Sequence, residues 1–237
     1  MAIAGTYGTL QNRIVDELGD RSDLKAPLLT ASAASSPIKR AIQSAIAKWE
    51  REPFYFTEFY NSSFFTTVNA QEFYTSSDAA AIATVVQITR AHVTISGTRY
   101  ALVPRRWNYI EDIQPGTTTG SPTDYAYFAE QIRLYPIPTA ALVISVSGNQ
   151  RLSALSADAD SNGWTTDGFD LIRCEALLML ASEMIHDEAL AAAMERAIYG
   201  DPANPNRKGY LAALREETMT RGRPGLSRAA GDPPKGG

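Results

Sequence analysis

The hydrophobic spacing of this chain changes twice, and the two changes fix the order of its structural parts. In two stretches before Pro53, Tyr7 to Leu18 and Ile38 to Trp49, apolar residues recur every three to four positions, the spacing of a helix with one buried face. From Phe54 to about Leu155 the chain turns to short runs of Phe, Tyr, Thr, Val and Ile separated by turn residues, the signature of strands. Helical spacing returns near Gly168. The order helices, strands, helices predicts an α+β fold. Both chain ends form a helical bundle, and an antiparallel β block is inserted between the second and third helices. The expected divisions are residues 1–52 with 166–221 for the helical part, 53–165 for the β-rich part, and 222–237 for a flexible tail.

Helix one is expected from about Tyr7 to Leu18, with Leu10, Ile14 and Leu18 on one face and Gly19 as its stop. Asp20 to Ser35 is small and polar apart from Leu24, Leu28 and Leu29, and reads as a loop. Ser36 can cap helix two and Pro37 suits its first turn. Ile38, Ile42, Ile46 and Trp49 then make an apolar stripe, and Pro53 ends it.

In the middle, PFYFTEFY and NSSFFTTV are expected as two strands, and Ala91 to Val103 as a hairpin around Ser96-Gly97. Arg105 to Ile113 reads as a short helical turn closed by Pro115-Gly116. Strands Asp124–Ala129, Gln131–Tyr135 and Leu142–Ser147 come next, the first two joined tightly at Ala129-Glu130. Together these make a small antiparallel sheet or sandwich. Phe169 to His186 is apolar on nearly every face and should be the most buried helix, with Phe169, Ile172, Leu177, Leu180 and Met184 packing on Ile42, Ile46 and Trp49. Ala189 to Tyr199 is helical, Gly200-Asp201-Pro202 stops it, and Asn206 can cap a last helix, Arg207 to Arg221.

Chemistry is sparse. Asp158-Ala-Asp160-Ser-Asn162-Gly163 opens like a calcium loop, but position twelve, where a bidentate Glu belongs, is Phe169. Such Asp/Asn/Gly clusters are ordinary turn formers. The two histidines, His92 and His186, have no second His or Cys at ligand spacing. Cys174, alone on the apolar helix, is read as a small buried hydrophobe. One cysteine excludes a disulfide framework. Gly116-Thr-Thr-Thr-Gly120 lacks the Lys of a phosphate loop and reads as a turn. No catalytic residue, metal ligand or cofactor is assigned. A net charge of −4 argues against general nucleic-acid binding. The N-terminal residues lack a signal-peptide pattern, and no apolar run is long enough to span a bilayer.

Two basic stretches stand out. Arg105-Arg106-Trp107 sets charge beside an aromatic ring, as nucleic-acid readers do; the ordinary alternative is a Trp anchoring a short helix and two arginines in ion pairs. Arg221, Arg223, Arg228 and Lys235 face only Asp232 in the last residues. They form either a basic arm that binds nucleic acid or an acidic protein groove, or a plain disordered end.

The stretch Gly120-Ser-Pro122, Leu134-Tyr135-Pro136-x-Pro138, Arg151-Leu-Ser153, then Phe169 onward through Glu195 and Tyr199, resembles the head-to-tail adaptor proteins of tailed bacteriophages, the podophage-type connectors. The resemblance runs from about Pro104 to Leu214. The break at Gly200–Asn206 departs from it, since relatives continue one helix there. It implies a non-enzymatic virion protein at the neck between head and tail, assembled in the host cytoplasm. Its expected partners are the portal protein, downstream nozzle or fibre proteins, and copies of itself in a closed ring of about twelve. Genomic DNA passes through without specific binding, and no membrane is involved. On this reading Arg207, Tyr210, Leu211, Leu214, Arg221, Arg223 and Arg228 are expected to bind the portal, and Arg105, Arg106, Trp107 and Tyr109 a neighbour or tail protein. Two other readings are a carbohydrate- or receptor-binding module of a tail built on the strands, and a hydrolase whose site forms only in the fold.

Overall fold

The computed structural model describes residues 5–20, 22–25, 36–113 and 118–221. The tail 222–237, the turn at Pro115-Gly116 and most of the loop before Ser36 lie outside these residues. In chain order the elements begin with α1 (Tyr7–Glu17), α2 (Pro37–Trp49), β1 (Glu58–Thr66), β2 (Phe73–Tyr74), β3 (Val85–Ile95), β4 (Thr98–Pro104) and α3 (Trp107–Ile113). They continue with β5 (Thr119–Gly120), β6 (Asp124–Phe128), β7 (Gln131–Tyr135), β8 (Ile137–Pro138) and β9 (Val143–Gln150). Last come α4 (Phe169–Leu180), α5 (Glu188–Tyr199), β10 (Gly200–Asp201), β11 (Asn204–Lys208) and α6 (Tyr210–Arg221). The class is α+β. The chain divides into two compact units: Met1–Phe56 with Ser153–Gly237, and Thr57–Leu152.

The terminal unit is organised on α4, which packs against α2, α5, α1 and α6. Its sequence FDLIRCEALLML buries Phe169, Leu171, Ile172, Cys174, Glu175, Ala176, Leu177 and Leu180. Helix α2 meets it with the Ile38, Ala41, Ile42, Ala45, Trp49 stripe. Ile46, expected in that stripe, is half-buried at its edge. Helix α2 starts where the Ser36 hydroxyl accepts the Lys39 N–H at 3.1 Å, with Pro37 in its first turn. Helix α1 starts at Thr6, whose hydroxyl accepts the Thr9 N–H. Its first N–H groups are taken from outside: Tyr7 donates to the Asp160 carbonyl at 2.8 Å and Gly8 to the Asp158 carbonyl at 2.9 Å.

Helix α4 does not reach His186. It ends at Leu180, and Ala181–Ile185 form a single π turn closed by His186 in the left-handed region, φ 58°. A π turn adds one residue to the helical count and rotates the next side chains off the buried face. Met184, expected in the core, is therefore 41% exposed. Asp187 restarts the helix, its carboxylate accepting the Leu190 N–H at 2.9 Å.

The last helix also begins later than expected. Residues 200–208 form the hairpin β10–β11, with Asn206 inside β11 rather than capping a helix, and α6 starts at Tyr210. Two glycines permit this. Gly200 has φ +97°, and a Cβ on Gly209 would lie 2.2 Å from the Ile198 carbonyl oxygen.

The central unit is a seven-stranded sheet in the order β1-β9-β3-β4-β6-β7-β2. It is mixed, not antiparallel throughout. Strands β4 and β6 run parallel, Val103 opposite Asp124, because α3 carries the chain across between them. A second parallel pair joins β5 to β8. PFYFTEFY and NSSFFTTV are not two strands. Tyr55–Thr57 is a 3₁₀ turn, and the rest is the one strand β1, irregular between Asn61 and Phe65 where it pairs with β9. Both expected tight hairpins are present. Ser96-Gly97 (φ 50° and 80°) joins β3 to β4, and Ala129-Glu130 (φ 50° and 59°) joins β6 to β7. Positive φ at both central residues matches the twist of the flanking strands. The core of this unit gathers Phe64, Phe65, Tyr74, Ile82, Val93, Leu134, Ile144 and Val146 among others.

Candidate functional site

Two surfaces gather the residues singled out from the sequence, one on each unit. On the terminal unit the surface is built by the end of α5, the β10–β11 hairpin and α6. Arg207 is exposed on β11 and makes no ion pair among the described residues. On α6, Tyr210 is 37% exposed and Leu214 half-buried, while Leu211 is only 6% exposed and turned into the fold. Helix α6 is otherwise held by polar contacts to the segment after α2. The Tyr55 N–H donates to the Thr218 hydroxyl at 3.2 Å, and the Arg221 guanidinium lies 3.8 Å from the centre of the Tyr55 ring. Arg215 pairs with Glu52 at 2.8 Å. The Tyr55 hydroxyl donates to Asp167 at 2.6 Å; burial and that carboxylate push its pKa well above the usual phenol value. Arg223 and Arg228 lie outside the described residues.

On the central unit the surface centres on α3. Arg105 pairs with Asp124 at 2.6 Å and stacks 4.9 Å from the Tyr109 ring centre, leaving Arg106 exposed. Trp107 sits between two rings, Phe73 at 5.7 Å and Phe128 at 5.6 Å between centroids. Phe73 and Phe128 are 40% and 60% exposed. Beneath them lies Arg133, 4% exposed, its guanidinium 5.2 Å and 5.4 Å from the Phe73 and Trp107 ring centres and paired with Glu72 and Glu111. Sequence reading found Trp107 but not its companions. Phe73, Phe128 and Arg133 stand on three different strands, and only pairing of β2, β6 and β7 brings them together.

A third arrangement was also missed. Glu175 stands on the apolar helix α4 at 2% exposure. Lys48 donates to one of its oxygens at 2.6 Å and the Trp49 indole N–H to the other at 3.1 Å. The Lys48 amine also lies 3.3 Å from the Tyr199 hydroxyl. Partial burial works against the Lys48 charge, but the bonds to Glu175 and Tyr199 outweigh it and hold its pKa above the ordinary lysine value. The signal available in the sequence was a lone carboxylate inside an apolar helix, which needs a partner when buried.

The remaining sequence features have structural employment. Asp160 accepts the Ser156 and Ala157 N–H groups, both at 2.7 Å, and its pKa is lowered by the Ala157 and then the Ser156 bonds. Asp158 accepts from Gln11 at 3.0 Å, and Asn162 accepts the Trp164 N–H at 2.8 Å. The loop thus holds itself and the start of α1. Among the described residues no group of three or more His, Cys, Asp or Glu is placed to hold a metal ion. Cys174 is 1% exposed, and burial pushes its thiol up to about 11. Among the described residues no helix is long and apolar enough to cross a membrane.

The model of the SU10 adaptor protein family matches residues 5–229. The chain belongs to the SU10 adaptor protein family. No curated protein matches it. The family match takes in both chain ends as well as the central strands, so the SU10 adaptor unit extends well beyond the stretch from Pro104 to Leu214 that carries the sequence resemblance. Both surfaces described above fall inside it.

Proposed function

We propose that this SU10 adaptor family member is a non-enzymatic virion protein that joins the portal to the tail at the neck of a tailed phage. The observation that carries this reading is the family match over residues 5–229. In this role about twelve copies close a ring by one repeated heterologous contact. The ring extends the DNA channel, and its net charge of −4 lets DNA pass without a grip on its phosphates. The strand-built surface at Arg105, Arg106, Trp107 and Tyr109 serves a neighbouring copy or a tail protein, since exposed aromatic and arginine side chains are enriched at interfaces. The C-terminal surface at Arg207, Tyr210, Leu214 and Arg221 serves the portal, together with Arg223 and Arg228, which follow it in the sequence. Leu211 contributes from beneath by fixing α6. The helical parts from both chain ends form the adaptor core, which carries the C-terminal surface.

The test is reconstitution. The purified chain mixed with the portal of the same phage and imaged in negative stain is expected to give a ring stacked on the portal. Removal of residues 207–237 is expected to abolish that binding. Phage lacking the gene should package DNA but lose it or gain no tails; complete, infectious particles from such a mutant would rule the reading out.

A second reading, glycan binding, draws on the exposed Phe73–Trp107–Phe128 row. A chain that stays monomeric with portal and binds host polysaccharide would favour it.

A further inference from the structure

The end of α5, the β10–β11 hairpin and the start of α6 border two adjoining open clefts of about 590 and 300 Å³. Arg196, Asp201 and Arg207 line both of them. Arg196 spends its Nε on the Ala192 carbonyl at 3.1 Å, and its two terminal nitrogens have no partner among the described residues. Arg207 has none either. The other charges there are largely committed: Lys208 pairs with Glu216 at 2.6 Å, and Asp201 accepts the Ala203 N–H at 3.0 Å. Glu195 stands at the rim. Tyr199, 50% exposed, adds an apolar wall.

Arg196 and Arg207 line the same cleft because the hairpin is locked to α5. Gly209 sits so close to the Ile198 carbonyl and the Gly200 nitrogen that no side chain fits there, and Gly200 adopts a conformation that L residues avoid. The wall that carries Arg207 is therefore fixed against the helix that carries Arg196.

We infer that this cleft is a docking site for an acidic peptide segment of a partner protein, whose carboxylates take the free forks of Arg196 and Arg207. Only the partner's identity as the portal rests on the adaptor reading; the chemistry of the cleft does not. Arginine binds carboxylate through two parallel hydrogen bonds. Phosphate has the same complementarity, but a DNA backbone brings a row of charges past Asp201 and Glu195, which repel it. A peptide can place one or two carboxylates on the arginines and lay its apolar atoms along Tyr199.

The experiment uses the full-length chain and fluorescence anisotropy with two labelled probes, a decapeptide carrying two glutamates beside apolar residues and an oligothymidylate of the same length. The peptide is expected to bind, more weakly as salt rises. Arg196→Gln and Arg207→Gln should each weaken it by about tenfold, the loss of one charge-assisted hydrogen-bonding fork. Arg207→Lys should fall between wild type and Arg207→Gln. Arg90→Gln, on the central unit, should change nothing, and circular dichroism should show all variants folded. Failure of the peptide to bind, equal affinity in wild type and both Gln variants, or tighter binding of the oligonucleotide overturns the inference. Peptide binding that survives while the chain ignores portal would leave the cleft standing and remove the adaptor reading.

Discussion

The carboxylate of Glu175 on α4 and the indole of Trp49 on α2 are hydrogen-bonded at 3.1 Å across 126 residues of sequence. Lys48 completes the arrangement at 2.6 Å on the other oxygen. The two partners are unequally buried: Glu175 is 2% exposed at its side chain and Lys48 40%. Removing the lysine strands a buried charge, while neutralising the acid leaves an ammonium that can turn to water. Lys48→Met should therefore destabilise by about 3 kcal/mol or more, and Glu175→Gln by about 1–2 kcal/mol. Urea unfolding of the two variants checks the order; equal losses would mean the pair is not buried as described.

Leu177 and Met184 lie on opposite sides of the boundary that the π turn sets between core and surface. Leu177 is 0% exposed and Met184 41%. Leu177→Ala is expected to cost about 2–5 kcal/mol, whereas Met184→Ala should stay within about 0.5 kcal/mol. Matching losses at the two sites in denaturant titrations would restore an unbroken helix to His186.

Gly148 on β9 lies tight against the backbone of β3. A Cβ there would lie 2.0 Å from the Gln87 carbonyl oxygen, beside the irregularity in β3–β9 pairing. Gly148→Ala must push the strands apart and should destabilise by about 1–3 kcal/mol. Amide exchange is expected to accelerate along Ile88–Val93 in that variant, and unaltered protection there would contradict the close approach.

Alkaline stability reports the burial of Cys174. Its thiol is held neutral in the folded state up to about 11, against an ordinary 9.0. Between these values the unfolded chain has given up its proton and the folded chain has not, so stability is full below pH 9 and falls as pH rises toward 11. Two pH units correspond to about 3 kcal/mol. Buried tyrosines and Lys48 shift in the same direction, so the comparison that isolates the thiol is Cys174→Ala. That variant should lose about 2 kcal/mol less between pH 9 and pH 11 in urea titrations, part of the roughly 3 kcal/mol falling outside that window.

Local rules settled much of this molecule in advance. The caps at Ser36 and Pro37, the apolar stripe of α2, the hairpins at Ser96-Gly97 and Ala129-Glu130, and the burial of Phe169, Ile172, Leu177 and Leu180 stem from residues close in sequence. So does the α+β class, since the change of period at Phe54 and again near Gly168 is a local pattern. The order of motifs from Gly120 onward carried the resemblance to phage adaptors.

The expectations that failed were decided over distance or by crowding. A parallel pairing of β4 and β6 depends on how α3 crosses between them, and no residue in either strand announces it. The β10–β11 hairpin replaced a helical turn because Gly200 and Gly209 let two backbones touch where any Cβ would collide. The π turn moved Met184 out of the core through one extra residue in the helical count. The aromatic row at Trp107, the Glu175 pair and the Arg196–Arg207 cleft each join side chains from separate elements. The sequence by itself determined where the main helices and most of the long strands lie and the buried faces of α2 and α4, because propensity and period act within a few residues. Only the tertiary structure decided which strands pair, where the helices break and which charges meet, because those depend on contacts between residues tens to more than a hundred positions apart.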